Sequence, residues 1–165
     1  MPLFENAIHL IKANLENIER GHKVSAVEVG VLTSQQLSVI NQERASGERP
    51  MPEITGELIF IGSHIYDSRC RRDGYSIEDV INQISSAMDE SGVVCASPKM
   101  TTIESSSFRN DGYGNQVRDK IILECTGKHP KAEIYSVIPK GDKIKPKKKT
   151  TNKDSLLSVQ KLSPG

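Results

Sequence analysis

Residues 120–138 read KIILECTGKHPKAEIYSVI, and this stretch sets the class of the fold. Two apolar, β-branched runs, residues 120–125 and 133–138, flank the polar sequence GKHPKA. Such composition is typical of strands on either side of a turn. Strands joined by a short connection pair antiparallel. The stretch therefore predicts a β-hairpin late in the chain.

Three segments before the hairpin are predicted to be helices: residues 3–20, 33–46 and 76–88. The first and the last carry apolar residues three or four positions apart, which is the spacing of an amphipathic helix. Thr33 with Gln36, and Ser76 with Asp79, have the spacing of capping boxes at helix starts. Two of the three helix starts are therefore defined by local chemistry.

Short apolar runs predict further strands: residues 24–32, 57–61, 93–96 and 100–109. Residues 63–72 read as a helix or an irregular turn. The order of elements predicts an α+β fold, with N-terminal helices and a small, mainly antiparallel β-sheet in the C-terminal half. We expect one domain over residues 1–141, because a chain of this length fits a single core.

Charge is distributed unevenly along the chain. Residues 139–153 hold seven lysines and one aspartate, a charge of +6, so the net charge of +1 leaves −5 on the remainder. Apolar periodicity ends in the same region, and a Lys-rich polar segment cannot build a core. Residues 142–165 are therefore predicted to form a flexible, disordered basic tail.

Several classes of protein are disfavoured by missing signatures. The sequence has no CxxC pair, no Gly-rich phosphate loop, no HExxH and no GxSxG motif. Carboxylates are scattered, so we expect no metal site and no cofactor. No apolar run is long enough to span a bilayer, and the start of the sequence does not read as a secretory signal. Three widely spaced cysteines fit reduced thiols, and we expect a cytoplasmic protein.

Reactive side chains are densest in residues 63–72, SHIYDSRCRR, directly after a predicted strand. An imidazole at His64 beside Arg69, Arg71 and Arg72 suits an anionic substrate, because arginines bind phosphate and histidine exchanges protons near neutral pH. The alternative is a histidine at a helix start beside a solvated basic face.

Residues 64–69 (HIYDSR) and 72–81 (RDGYSIEDVI) together resemble a pattern of phage-type nucleases of the barnase–EndoU–colicin–RelE group. In that pattern a His, then Ser and Arg, precede Gly-x-[ST]-x-x-[DE]-[IV] at the start of a helix. Gly74, Ser76, Asp79 and Val80 match its later part. The resemblance covers residues 55–140 and implies helices followed by a small antiparallel sheet.

The resemblance also implies cleavage of RNA without a metal ion, by attack of the 2′-hydroxyl on the adjacent phosphate. His64 would then be the acid or base, and Arg69 a phosphate contact. Such folds bring further polar groups from the sheet, for which Arg109, Lys120 and Ser136 are the catalytic candidates in this sequence. Candidates for binding the substrate are the basic and aromatic residues Tyr66, Arg71, Arg72 and Lys140.

A second hypothesis from a different class stays open. The chain would be a non-enzymatic protein of mobile-element origin that binds a host protein or nucleic acid, for instance as an inhibitor of a defence system, whereas the RNase would be a phage or toxin effector. The expected partner of the RNase is RNA. A protein inhibitor or a host protein is the other possible partner. The two hypotheses differ in whether His64 shares one surface with the other catalytic candidates.

Overall fold

The structure is a computed structural model that describes residues 2–89, 92–97, 100–125 and 130–141. Its helices are α1 (Ala7–Glu19), α2 (Ser34–Ser46), α3 (Ser63–Ile65) and α4 (Ile77–Ala87), and a π-helical segment spans Tyr66–Arg72. The first strands are β1 (Val27–Val31), β2 (Glu57–Phe60) and β3 (Val93–Ala96). The others are β4 (Thr101–Glu104), β5 (Arg109–Asn110), β6 (Gln116–Glu124) and β7 (Ala132–Gly141). The α+β class is confirmed, and the tail at 142–165 lies outside the described residues.

All seven strands belong to one sheet, in the order β1-β2-β7-β6-β4-β3, with β5 beside β6. Every neighbouring pair is antiparallel except β2 and β7, which are parallel. The predicted hairpin forms between β6 and β7, and both strands extend beyond their expected bounds. The sheet is larger than expected, because β1 and β2 from the N-terminal half join it through β7.

The two capping boxes are present. The Thr33 and Ser76 side chains accept backbone hydrogen bonds from Gln36 and Asp79, whose side chains accept in return. The first helix is shorter than predicted and begins at Ala7. The residues before it instead pair with β1, where Leu3 forms a bridge to Gly30.

Helices α1 and α4 pack on one face of the sheet. Along β6 the side chains of Val117, Asp119, Ile121 and Leu123 are buried against this helical layer, and they alternate with partly exposed residues. Successive side chains of a strand point to opposite faces. The opposite face, which we call the open face, is not covered by α1 or α4. On the two central strands it consists of Arg118, Lys120, Ile122, Glu124, Glu133, Tyr135, Ser136, Ile138 and Lys140.

Every helix of the described residues is too short or too polar to cross a membrane.

Candidate functional site

His64 is presented to solvent at the point where β2 passes into α3. Gly62 makes this turn with a φ of 99°, a conformation that side chains rarely adopt. A Cβ at Gly62 would also lie 2.7 Å from the Phe60 ring. Ile65 is buried in the core, whereas His64 is exposed. The local chain path therefore fixes the position of the imidazole without burying it.

The imidazole of His64 stacks on the ring of Tyr135. The ring centroids are 4.4 Å apart and the planes differ by 9°. Tyr135 reaches this position through an irregularity in the hairpin: Ile122 pairs with Ser136 and Leu123 with Ile134, so Tyr135 is an extra residue on β7. A β-bulge of this kind redirects side chains next to it. The stack joins α3 to the open face.

Three cationic side chains lie farther along the same face of the hairpin. Lys120 is opposite Ile138, and Arg118 is opposite Lys140. The Arg118 guanidinium lies 4.7 Å from the centre of the Phe108 ring. Lys140 is exposed and Lys120 is half-buried, and within the described residues neither forms an ion pair. Glu104 lies opposite Lys120 on the same face and 4.0 Å from Arg118, so it balances part of this positive charge.

Ser136 lies on the open face but is only 5% exposed. It pairs with Ile122 across the hairpin, and Lys120 is its diagonal neighbour. Diagonal neighbours on one face of a sheet are about 7–8 Å apart, which a lysine side chain can span. Ser136 is therefore not an exposed nucleophile.

Arg109, by contrast, is on the helical side of the sheet. Its Nε and Nη2 donate to Asp119 over 2.6 and 2.9 Å, and Asp119 is fully buried. Burial disfavours the charged guanidinium, but the bonds to Asp119 outweigh it and raise the pKa of Arg109. The structure does not bring Arg109 together with His64.

The three arginines that follow His64 form ion pairs with aspartates of residues 67–73. Arg69 is 9% exposed and its Nη1 lies 2.8 Å from Asp73, and burial lowers its pKa. Arg72 donates to the same carboxylate over 3.2 Å.

Arg71 lies 3.5 Å from Asp67 and 5.4 Å from the centre of the Tyr66 ring, which is itself buried. The expected cluster of basic groups around the imidazole is therefore not assembled, because Asp67 and Asp73 pair with these side chains one helical turn away.

Tyr135 and Arg118 were not among the residues that the sequence singled out. Arg118 was missed because the first predicted hairpin strand began at residue 120, whereas β6 begins at Gln116. The bulge at Tyr135 breaks the alternation of β7, and nothing in the sequence indicates it.

No group of three or more His, Cys, Asp or Glu side chains in the described residues has the arrangement of a metal site. Comparison of the chain with protein-family models, with curated proteins and with solved structures finds no match to any of them.

Proposed function

We propose that this chain is a metal-independent endoribonuclease of the phage type, acting on RNA phosphodiesters across the open face of its sheet. The observation that carries the proposal is the exposed imidazole of His64, stacked on Tyr135 of the face that also carries Lys120 and Lys140. The resemblance of residues 64–81 to the barnase–EndoU–colicin–RelE group supports the same assignment.

The proposed reaction needs only a proton-transfer group and positive charge. The 2′-oxygen forms a bond to phosphorus, the bond from phosphorus to the 5′-oxygen breaks, and a proton passes from the 2′-hydroxyl to a base while another reaches the leaving oxygen. His64 serves as the acid or the base, and solvent water takes or supplies the other proton. Lys120 and Lys140, with Arg118, stabilise the negative charge of the phosphorane.

The stacked pair also suits a nucleotide substrate. Bases of single-stranded RNA stack on aromatic side chains, and such stacking tolerates any sequence. The Tyr135 and His64 rings lie nearly parallel at the edge of a basic surface, so a base that stacks there would set its phosphate near Lys120. In this proposal Tyr135 is a substrate-binding residue.

One observation favours the non-enzymatic alternative, in which the open face binds a host protein. Toward β1 and β2 this face becomes apolar, with Ile59 and Ile61 beside Glu133 around a depression of about 690 Å³. Apolar depressions rimmed by charged groups are common in protein interfaces. The alternative uses the same face, so the test must measure chemistry rather than binding.

The decisive experiment incubates a 5′-labelled single-stranded RNA with the full chain in excess EDTA. We expect fragments that end in a 2′,3′-cyclic phosphate, and no cleavage of the DNA oligonucleotide of the same sequence, because it lacks the attacking hydroxyl. The variant His64→Ala should lose at least 100-fold in rate, the usual contribution of a general acid or base.

The matched control is His9→Ala, which removes an exposed imidazole from α1. It should cleave at the unsubstituted rate, and both variants should keep the far-UV circular dichroism spectrum. Cleavage that requires added Mg²⁺, or that survives His64→Ala, would exclude the proposed mechanism. Absence of cleavage with retained RNA or protein binding would favour the alternative.

A further inference from the structure

A second aromatic surface lies at the far end of the open face, where Phe108 precedes β5. Phe108 is 45% exposed. The next residue, Arg109, bonds to Asp119 on the helical side of the sheet. The ring of Phe108 instead lies on the open face, with the guanidinium carbon of Arg118 4.7 Å from the ring centre. Phe108 and Arg118 thus form an exposed flat surface, as the stack on Tyr135 does.

The two aromatic surfaces are too far apart to hold neighbouring bases of one strand. Arg118 is opposite Lys140, which is five residues from Tyr135 along β7, and one of these residues belongs to the bulge. A strand rises about 3.4 Å per residue, so the surfaces are roughly 15 Å apart. Consecutive bases of a helical strand are about 3.4 Å apart, and even a strand stretched to about twice that rise needs more than two steps. A single strand bound to both surfaces would therefore place at least one nucleotide between them.

The charges of the open face favour a strand that runs from Tyr135 toward Phe108. The three cationic side chains of this face lie on the Phe108 side of Tyr135, where they outnumber Glu104. On the other side of Tyr135 the face carries Glu124 and Glu133, which are opposite each other in the hairpin. Lysine and arginine attract phosphates, whereas carboxylates repel them. The next phosphates of a bound strand would thus lie toward Phe108.

We propose that Phe108 and Arg118 form a second base-binding subsite for single-stranded RNA, occupied while another nucleotide of the same strand stacks on Tyr135. This inference rests on the proposed function, which places RNA on the open face. Unpaired bases stack on aromatic rings and on arginine planes, and such stacking tolerates any sequence. Bases in a duplex are paired and stacked on one another, so the subsite selects single strands. Phe108 is a binding residue and takes no part in the chemistry.

The test measures binding of a fluorescein-labelled penta-adenylate, methylated at every 2′-oxygen, to the full chain by fluorescence anisotropy. The proposed reaction cannot cleave this oligonucleotide, because the attacking hydroxyl is blocked. Phe108→Leu keeps an apolar side chain beside Arg118 but removes the ring, and it should weaken binding at least about fivefold. Phe108→Tyr keeps a ring and should bind like the unsubstituted chain.

An abasic pentamer of the same sugar–phosphate backbone separates stacking from charge. It carries the same phosphates and no bases, so Phe108→Leu should bind it as the unsubstituted chain does. The matched control is Phe4→Leu, because Phe4 is 43% exposed and lies beside β1 at the opposite edge of the sheet. This control should leave both affinities unchanged, and all variants should keep the far-UV circular dichroism spectrum.

Three results would each overturn the subsite: no saturable binding of penta-adenylate to the unsubstituted chain, unchanged binding in Phe108→Leu, or an equal loss for the abasic pentamer. The proposed function fails or stands separately. Cleavage of RNA together with unchanged binding in Phe108→Leu would remove the subsite and leave the enzyme. The expected binding results without cleavage of RNA would keep the subsite and remove the enzyme.

Discussion

Replacing Arg109 with Met should destabilise the fold by about 3 kcal/mol. Asp119 is fully buried, and its carboxylate accepts two hydrogen bonds from Arg109 on the neighbouring strand β5. Removing one partner of a buried ion pair costs about 3–5 kcal/mol, because the remaining charge is left unpaired in the interior. The Arg109 side chain is 27% exposed, so water reaches one end of the pair. This exposure places the expected loss at the lower end of the range.

The measurement is urea denaturation at pH 7 followed by far-UV circular dichroism, since the chain has no Trp for fluorescence. Arg71→Met is the matched control: it breaks an exposed pair with Asp67 and should change the free energy of unfolding by no more than about 0.5 kcal/mol. Arg109→Met combined with Asp119→Leu should recover much of the loss, because no charge stays buried.

A loss below about 1 kcal/mol for Arg109→Met, or a loss equal to that of Arg71→Met, would show that Arg109 and Asp119 do not form a buried ion pair.

The Arg109→Met variant also tests whether Arg109 takes part in catalysis. Arg109 faces the helical layer, so the folded fraction of Arg109→Met should cleave RNA at the unsubstituted rate. A selective loss of cleavage in folded protein would restore Arg109 as a catalytic residue.

Three further changes test the packing. Val137→Ala removes methyl groups from a fully buried site and should cost about 2 kcal/mol in urea denaturation; an unchanged transition would contradict the assigned core. Gly30→Ala should also cost about 2 kcal/mol, because the new Cβ would lie 2.1 Å from the Pro2 carbonyl oxygen, whereas Gly47→Ala has only distant neighbours and should be neutral. Burial and, to a smaller extent, the nearby charge of Glu124 raise the pKa of Glu133. Above that pKa the charged carboxylate therefore destabilises the folded state, and this destabilisation disappears as the pH falls through the pKa. Glu133→Gln should therefore raise the thermal midpoint at pH 7 and lose this advantage near pH 4; an equal shift at both pH values would contradict the assignment.

Local chemistry accounts for the elements that the sequence predicted well. The capping boxes at Thr33 and Ser76 involve residues three positions apart, so their geometry follows from the sequence itself. The hairpin of β6 and β7 is nearly as local. Pairing of β2 with β7 is different, because it joins Leu58 to Ala132 and depends on how the helices cover the sheet. No pattern within either segment could indicate it.

The candidate site shows the same division. The sequence predicted that His64 follows a strand directly, and in the structure it lies exposed just after β2. The arginines were misjudged, because composition counts the charges of Arg69 and Arg71 but not their pairing with Asp73 and Asp67. Tyr135 was overlooked because it is the extra residue of a bulge in β7, where it stacks on His64. A bulge depends on how two strands pair, so neither strand's own sequence indicates it.

The position of β7 has a consequence for how the chain reaches its native state. This strand lies in the middle of the sheet, between β2 and β6, yet it comes last in sequence among the elements of residues 2–141 that the structure describes. During synthesis β1 and β2 emerge long before it, and one edge of β2 then has no neighbour. Contacts between segments so distant in sequence form slowly, and unpaired strand edges favour aggregation in the meantime. We therefore expect late, cooperative folding that a chaperone accelerates, and ribosome-bound chains that end before residue 132 should remain sensitive to protease.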